Sequence, residues 1–302
     1  MHLRKIFNLF VQTFFGWSER NAPVYAAAIA YSTLFSLAPL LIISMYLASL
    51  TLNTATFEAR LLETIENQAG PAVADLTRDI LSTRLTVRPS GVAALVSVGL
   101  LLFGAAGVFN QLRKALNAMW HIAMRPPDIT HSILTTVKNY LISITAALVL
   151  GLTPVLLLFA SAVMASFPKG ALVELYHVSW LGTAVEVLAS PVAFFLLFAA
   201  VLRFLPQATA PWRAIAPGAL LSAIGYWIGS AILAYYVQNT AIGSIYGAAG
   251  SALALLIWAY YSAFIFLYGA RFVYSVAQGY DLAIVPDRGA SVMHFTLDRE
   301  QL

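Results

Sequence analysis

The chain has no cysteine, and only 10% of its 302 residues are charged. The missing thiols exclude disulfides and thiolate metal sites. The shortage of charge excludes an ordinary soluble domain, in which about 25% of residues are charged. A water-soluble chain this poor in charge would expose apolar patches large enough to aggregate. Apolar surface is what the chain has in abundance: 60% of its residues are hydrophobic and the mean hydropathy is +0.80. The composition predicts an all-α integral membrane protein. Its net charge of +4 is modest. In a membrane protein such a balance orients the chain and does not call for nucleic acid. Nothing in the composition calls for a cofactor.

A helix needs about 20 apolar residues to cross the hydrocarbon core of a bilayer. Runs without Asp, Glu, Lys or Arg place spans near 24–50, 91–111 and 139–165. A fourth falls near 181–202, with Glu186 close to its start. Residues 214–270 are uncharged throughout, and the polar stretch 238–247 divides them into spans near 215–236 and 246–270. The expected membrane domain is therefore a six-helix bundle over residues 23–270, followed by a tail over 271–302. Basic residues favour the cytoplasmic side. The two ends, the 112–138 loop and the 203–213 loop hold 12 of the 17, so both termini are expected inside. The 53–90 segment carries Glu58, Glu63, Glu66, Asp75 and Asp79, which suits the outer side. Gly70-Pro71 divides it, and Leu61/Ile65 and Leu76/Ile80 repeat at four-residue spacing on either side. Two short amphipathic helices capping the outer face are expected. In residues 1–22, Ile6, Leu9, Phe10, Thr13 and Trp17 share one helical face, opposite Arg4, Asn8, Gln12 and Glu19. That pattern predicts an amphipathic helix lying on the cytoplasmic surface.

Three groups of polar residues fall where a transporter would need them. In the first span, Ser32, Ser36 and Pro39 lie within about 40° of Tyr25 on the helical wheel, a narrow strip ending at a proline-broken turn. Proline strands the carbonyl of Phe35, and such breaks persist in lipid only when buried in protein or facing a watery cavity. Pro154 and Pro191 repeat the pattern in later spans. At the end of the second span, Asn110, Arg113, Lys114, Asn117 and His121 fall within about 100° of arc, a set able to hold a phosphate or acidic headgroup. On the last helix, Tyr260, Tyr268 and Arg271 share a side with Gly250. Glu186 is an ionisable group inside a span and so a functional candidate. Each has a plainer reading: an ordinary kink, a snorkelling basic anchor, an aromatic belt or an interfacial acid. Gly225/Gly229 and Gly243/Gly247 form GxxxG pairs that allow close helix packing, within the chain or in a homo-oligomer.

The stretches AAAIAYSTLFSLAPLL (26–41), LRKALNAMW (112–120), APGALLSAIGYWIGSAILAYYV (216–237) and SIYGAAGSALALLIWAYYSAFIFLYGA (244–270) resemble the YihY/BrkB family of bacterial inner-membrane proteins. Their order and spacing match along nearly the whole chain. The resemblance implies a six-helix protein of the cell inner membrane, of a family once labelled ribonuclease BN. Its members are linked to envelope integrity and to export of lipid-like or small organic molecules. One position departs from the family pattern: Gly269-Ala270 is followed by Arg271, where the family usually has Glu. Any mechanism needing that carboxylate, such as proton coupling, is in doubt for this chain.

Hydrolysis of RNA would need clustered metal ligands or an acid–base pair. The five histidines (2, 121, 131, 177 and 294) show no metal-ligand spacing, and the acids are scattered. No enzyme is expected. The reading that unites these features is a transporter or flippase-like exporter of a lipid-like amphiphile or small organic anion, working among membrane lipids. Arg113, Lys114, Asn117 and Arg271 would capture the anionic group, Ser32, Ser36 and Tyr260 would line the path, and Glu186 would be a further substrate contact. The alternative is a non-transporting scaffold for envelope integrity.

Overall fold

The computed structural model describes residues 2–51, 54–85, 107–124, 179–239, 248–287 and 290–292. The expected span near 139–165 and most of that near 91–111 lie outside the described residues. What is described is mainly helical: α1 (His2–Glu19), α2 (Ala22–Thr51), α3 (Thr54–Ala69), α4 (Pro71–Leu85), α5 (residues 107–119), α6 (Ser179–Phe204), α7 (Trp212–Asn239) and α8 (Ala248–Gly279). Two stretches are long and apolar enough to cross a membrane, Trp212–Leu233 and Gly250–Gly279, and Ala22–Leu37 and Pro191–Phe204 are shorter apolar helical stretches.

Residues that tolerate left-handed backbone make the turns. Asn21 (φ 53°) separates α1 from α2, and its carbonyl accepts the N–H groups of Val24 and Tyr25. Gly70 (φ 89°) separates α3 from α4, with Pro71 opening the next helix where its missing N–H costs nothing. Asp281 (φ 52°) ends α8: Leu282 N–H bonds the Ala277 carbonyl at 2.8 Å and Asp281 N–H that of Gln278 at 3.4 Å, the Schellman pattern.

The helices are small inside and large outside, as lipid-facing helices are. Along α7, Ala214, Ala219, Ser222, Ala223 and Tyr226 are buried, while Leu220, Ile224, Trp227, Ile228 and Ile232 are exposed. The glycines explain the tight α7–α8 crossing. A Cβ at Gly269 would lie 1.9 Å from the Ser222 hydroxyl oxygen and 2.7 Å from the Gly218 carbonyl oxygen. A Cβ at Gly229 would collide with Tyr261, whose hydroxyl donates to the Gly225 carbonyl at 2.8 Å. The Gly225/Gly229 pair is thus used inside the chain. Gly243 and Gly247 lie outside the described residues.

Outside the bundle core, Leu41 at the far end of α2 packs with Phe57, Leu61 and Leu81 of the α3–α4 hairpin, and Val73 packs with Ala254 and Leu255 of α8. At the other end the chain after α8 folds back. β3 (Val285–Pro286) pairs antiparallel with β2 (Ala208–Thr209), and β4 (Ala290–Val292) pairs antiparallel with β1 (Ile122–Met124). One segment thereby straps the exits of α5 and α6 together.

Three expectations are corrected. The last helix does not stop at 270 but runs to Gly279, so Arg271 lies within it. Helices α2 and α6 continue through Pro39 and Pro191, since a proline removes one ladder bond and neighbouring turns can carry the helix onward. The Ser32–Ser36 strip lies on the flank of α2, half-buried, whereas its inward face is Ala22, Ala26, Ile29 and Ala30.

Gly269→Val should cost about 1–3 kcal/mol or more through forced separation of two backbones. The check is a lower thermal aggregation temperature in detergent, with Leu220→Val, on the exposed face, close to wild type.

Candidate functional site

Leu116 and Met119 of helix α5, and Trp120 just after it, are completely buried. Trp120 Nε1–H donates to the Ala270 carbonyl of α8 at 2.9 Å. The helix closes on His121, whose φ of 58° turns the chain out of the helical path. Carbonyls in a last helical turn have no intrahelical partner. Arg271 supplies one: its Nη1 donates to the Met119 carbonyl at 2.8 Å. A cation there also opposes the negative end of the helix dipole. The Arg271 guanidinium lies 4.6 Å from the centre of the Tyr274 ring, a cation–π distance. On another side it meets Gly16 of α1, where a Cβ would fall 2.2 Å from Nη2 and 2.5 Å from Nε. A side chain at position 16 would force this guanidinium to move.

His121 completes the cluster. Its ring stacks on Tyr274, with centroids 4.7 Å apart and planes 9° from parallel. Its Nδ1 is 2.6 Å from Nη2 of Arg20. Guanidinium has donors only, so Nδ1 accepts and the proton sits on Nε2. Burial, then Arg271 and Arg20, push the His121 pKa down to about 4. The residue is neutral at pH 7.

Several of the predicted binding residues are engaged by partners within the chain. Arg271 is committed to Met119, Tyr274 and the Gly16 face. Asn117 is committed to Gln207: its Nδ2 donates to Gln207 Oε1 at 2.7 Å, and Gln207 N–H donates to its Oδ1 at 3.0 Å. Lys114 and Asn110 are exposed. Arg113 is buried to the same degree as Arg271, and the Nε of each is enclosed without a hydrogen-bond partner among the described residues. Among the described residues the buried charged side chains are Arg113 and Arg271, with no buried carboxylate beside them. Ser36 donates to the Thr33 carbonyl at 3.0 Å and Ser32 is half-buried. Tyr260 is half-buried, with its ring 5.8 Å from that of Phe264. Glu186 lies on α6, and its side chain is outside the described residues.

Sequence reasoning missed Gly16, Arg20, Tyr274 and Gln207. Gly16 was legible as a glycine inside an amphipathic helix, a position that usually marks close approach. Gln207 is separated from Asn117 by 90 residues, and no local pattern pairs them.

A histidine whose folded pKa is depressed stabilises the fold in its neutral form. That contribution is present above the unfolded pKa of 6.5 and is lost as pH falls toward about 4. The apparent melting temperature in detergent should therefore drop between pH 7 and pH 5. His121→Asn, which keeps a residue tolerant of positive φ, should show a smaller drop from a lower starting value.

The family model described as virulence factor BrkB matches residues 13–291. A UPF0761 membrane protein of Alteromonas mediterranea is 27% identical over 286 residues, covering 92% of this chain and 90% of that protein. A protein of Bacillus subtilis named YfkH and described as ribonuclease-like is 29% identical over 254 residues, covering 82% of this chain and 86% of its own length. A UPF0761 membrane protein of Psychromonas ingrahamii is 26% identical over 258 residues, covering 84% and 82% of the two chains. No solved structure matches. The matched range takes in the α5 terminus, Gly16 and Arg271 alike, and the chain belongs to the BrkB family of membrane proteins.

Proposed function

We propose that this protein is a multi-pass transporter or flippase-like exporter of the bacterial inner membrane, with both termini cytoplasmic, that handles a lipid-like amphiphile or small organic anion. The observation that carries the reading is Arg113. Arg113 and Arg271 both bury an Nε that is unpartnered among the described residues, but Arg271 also donates to the Met119 carbonyl and lies over Tyr274. A buried guanidinium is costly unless such groups, or an anion, offset it. Five N–H donors in a planar fork suit a carboxylate or phosphate. The family supplies the membrane setting, and the bias of basic residues toward the two ends and the loops after α5 and α6 supports the orientation. Six spans with an outer α3–α4 cap remain the architecture of this reading.

The roles narrow from the wider set. Arg271 and Asn117 serve the scaffold that holds Arg113, Lys114 is a peripheral cation, and Ser32, Ser36 and Tyr260 are flanking polar groups. Nuclease chemistry is no part of the reading, whatever the name of the Bacillus relative. A homo-oligomeric scaffold is less favoured, because the Gly225/Gly229 face is filled by Ile265 and Tyr261 of the same chain.

The test is mass spectrometry of lipids and metabolites that co-purify in polymer nanodiscs, comparing wild type with Arg113→Gln. One anionic species enriched in wild type should fall by about 10- to 100-fold, the loss expected when a charge-assisted hydrogen bond is removed. Profiles matching the bulk membrane in both would overturn the reading and favour the scaffold.

A further inference from the structure

Helix α1 does not use its predicted face to lie on a membrane. Leu9, Thr13 and Trp17 are buried against α8. The contacts run antiparallel, over about two turns of α1 and about four of α8. Leu9 meets Gly279, the Thr13 hydroxyl donates to Ser275 Oγ at 2.9 Å, Gly16 meets Arg271, and the Trp17 ring lies 4.4 Å from that of Phe264. The position of α1 is thus fixed by the last half of α8.

A second apolar face is left over. Phe7, Phe14 and Phe15 are 67%, 55% and 61% exposed, and Phe10 between them is 37% exposed. All four look away from the α8 seam or along its rim. At 1.5 Å per residue, the 32 residues of α8 span about 48 Å, against a hydrocarbon core of about 30 Å. The end that carries α1 therefore reaches the headgroup level. Other aromatic and basic groups gather at that end. The α6–α7 turn exposes Phe204, Trp212 and Arg213, and the Arg203 guanidinium lies 5.9 Å from the Trp212 ring. That turn is tied by the β2–β3 pair to the chain just beyond α8, so the two surfaces share a level. Arg4 is exposed near the start of α1.

We infer that the phenylalanine face of α1 is a lipid-docking surface, seated in the headgroup–acyl boundary of a leaflet containing anionic lipid. Aromatic side chains favour that boundary, and arginines beside them favour anionic headgroups. The helix acts as a buttress: one face is locked to α8 through Thr13, Gly16 and Trp17, and the other is held by lipid. The inference depends on membrane insertion and not on transport.

The natural absence of cysteine makes the test direct. Phe14→Cys, Phe7→Cys and Gln12→Cys variants are each labelled with bimane. They are reconstituted in vesicles of phosphatidylethanolamine and phosphatidylglycerol, with or without lipids brominated high on the acyl chain. Positions 7 and 14 should lose most of their fluorescence to brominated lipid and be protected from iodide, and position 12 should behave in the opposite way. Iodide quenching at 7 and 14 equal to that at 12 would overturn the inference. So would protection from both quenchers, which would indicate a protein cover such as a second copy. Phe15→Cys replaces either variant that fails to give a wild-type size-exclusion profile.

Discussion

A buried guanidinium holds this end of the molecule together. Arg271 caps the last carbonyl of α5, lies over Tyr274 and closes against a glycine of α1, so one side chain of α8 fixes two other helices. A charge at 8% exposure is tolerable only because its surroundings are arranged for it. The helix terminus supplies a carbonyl and a favourable dipole, and the aromatic ring supplies a polarisable face. The Trp120 bond to the Ala270 carbonyl and the Thr13–Ser275 pair hold the partners in register around it. Where α7 and α8 cross, glycine and serine bring the backbones near enough for α8 to act as the central post.

Helix placement was largely legible from uncharged runs. The stretches read at 24–50, 181–202 and 215–236 correspond to helices Ala22–Thr51, Ser179–Phe204 and Trp212–Asn239. The Gly70-Pro71 division of the outer segment was legible too, because positive φ and a missing N–H have few other uses. Charge is a weaker guide to a helix boundary: Arg271 lies within α8, buried where a neighbouring helix ends. Leu9, Thr13 and Trp17 of the predicted α1 face are buried on α8 and Phe10 is exposed: an amphipathic stripe fits a protein seam as well as a membrane. The Asn117–Gln207 pair joins segments far apart in sequence, and wheel geometry cannot see such a partner.

Two arginines with the same burial have different standing. The charge of Arg271 is met by a helix end and an aromatic ring. Arg113 lies two turns earlier on the helix that Arg271 caps; the Nε of each has no acceptor among the described residues, and Arg271 has in addition its Nη1 on the Met119 carbonyl. In the proposed reading the first is part of the scaffold and the second is what that scaffold presents. Capping α5 fixes its rotation, and through the Asn117–Gln207 pair the same helix is tied to the α6–α7 turn, so Arg113 is held on a rigid element.

The most direct test of this division is an electron cryomicroscopy map of the protein in lipid nanodiscs, resolved well enough to place both guanidinium groups. The account predicts non-protein density within hydrogen-bond distance of Arg113, and Arg271 closed by the Met119 carbonyl and Gly16 with no added density. An Arg113 guanidinium paired with a carboxylate of the same chain would contradict it.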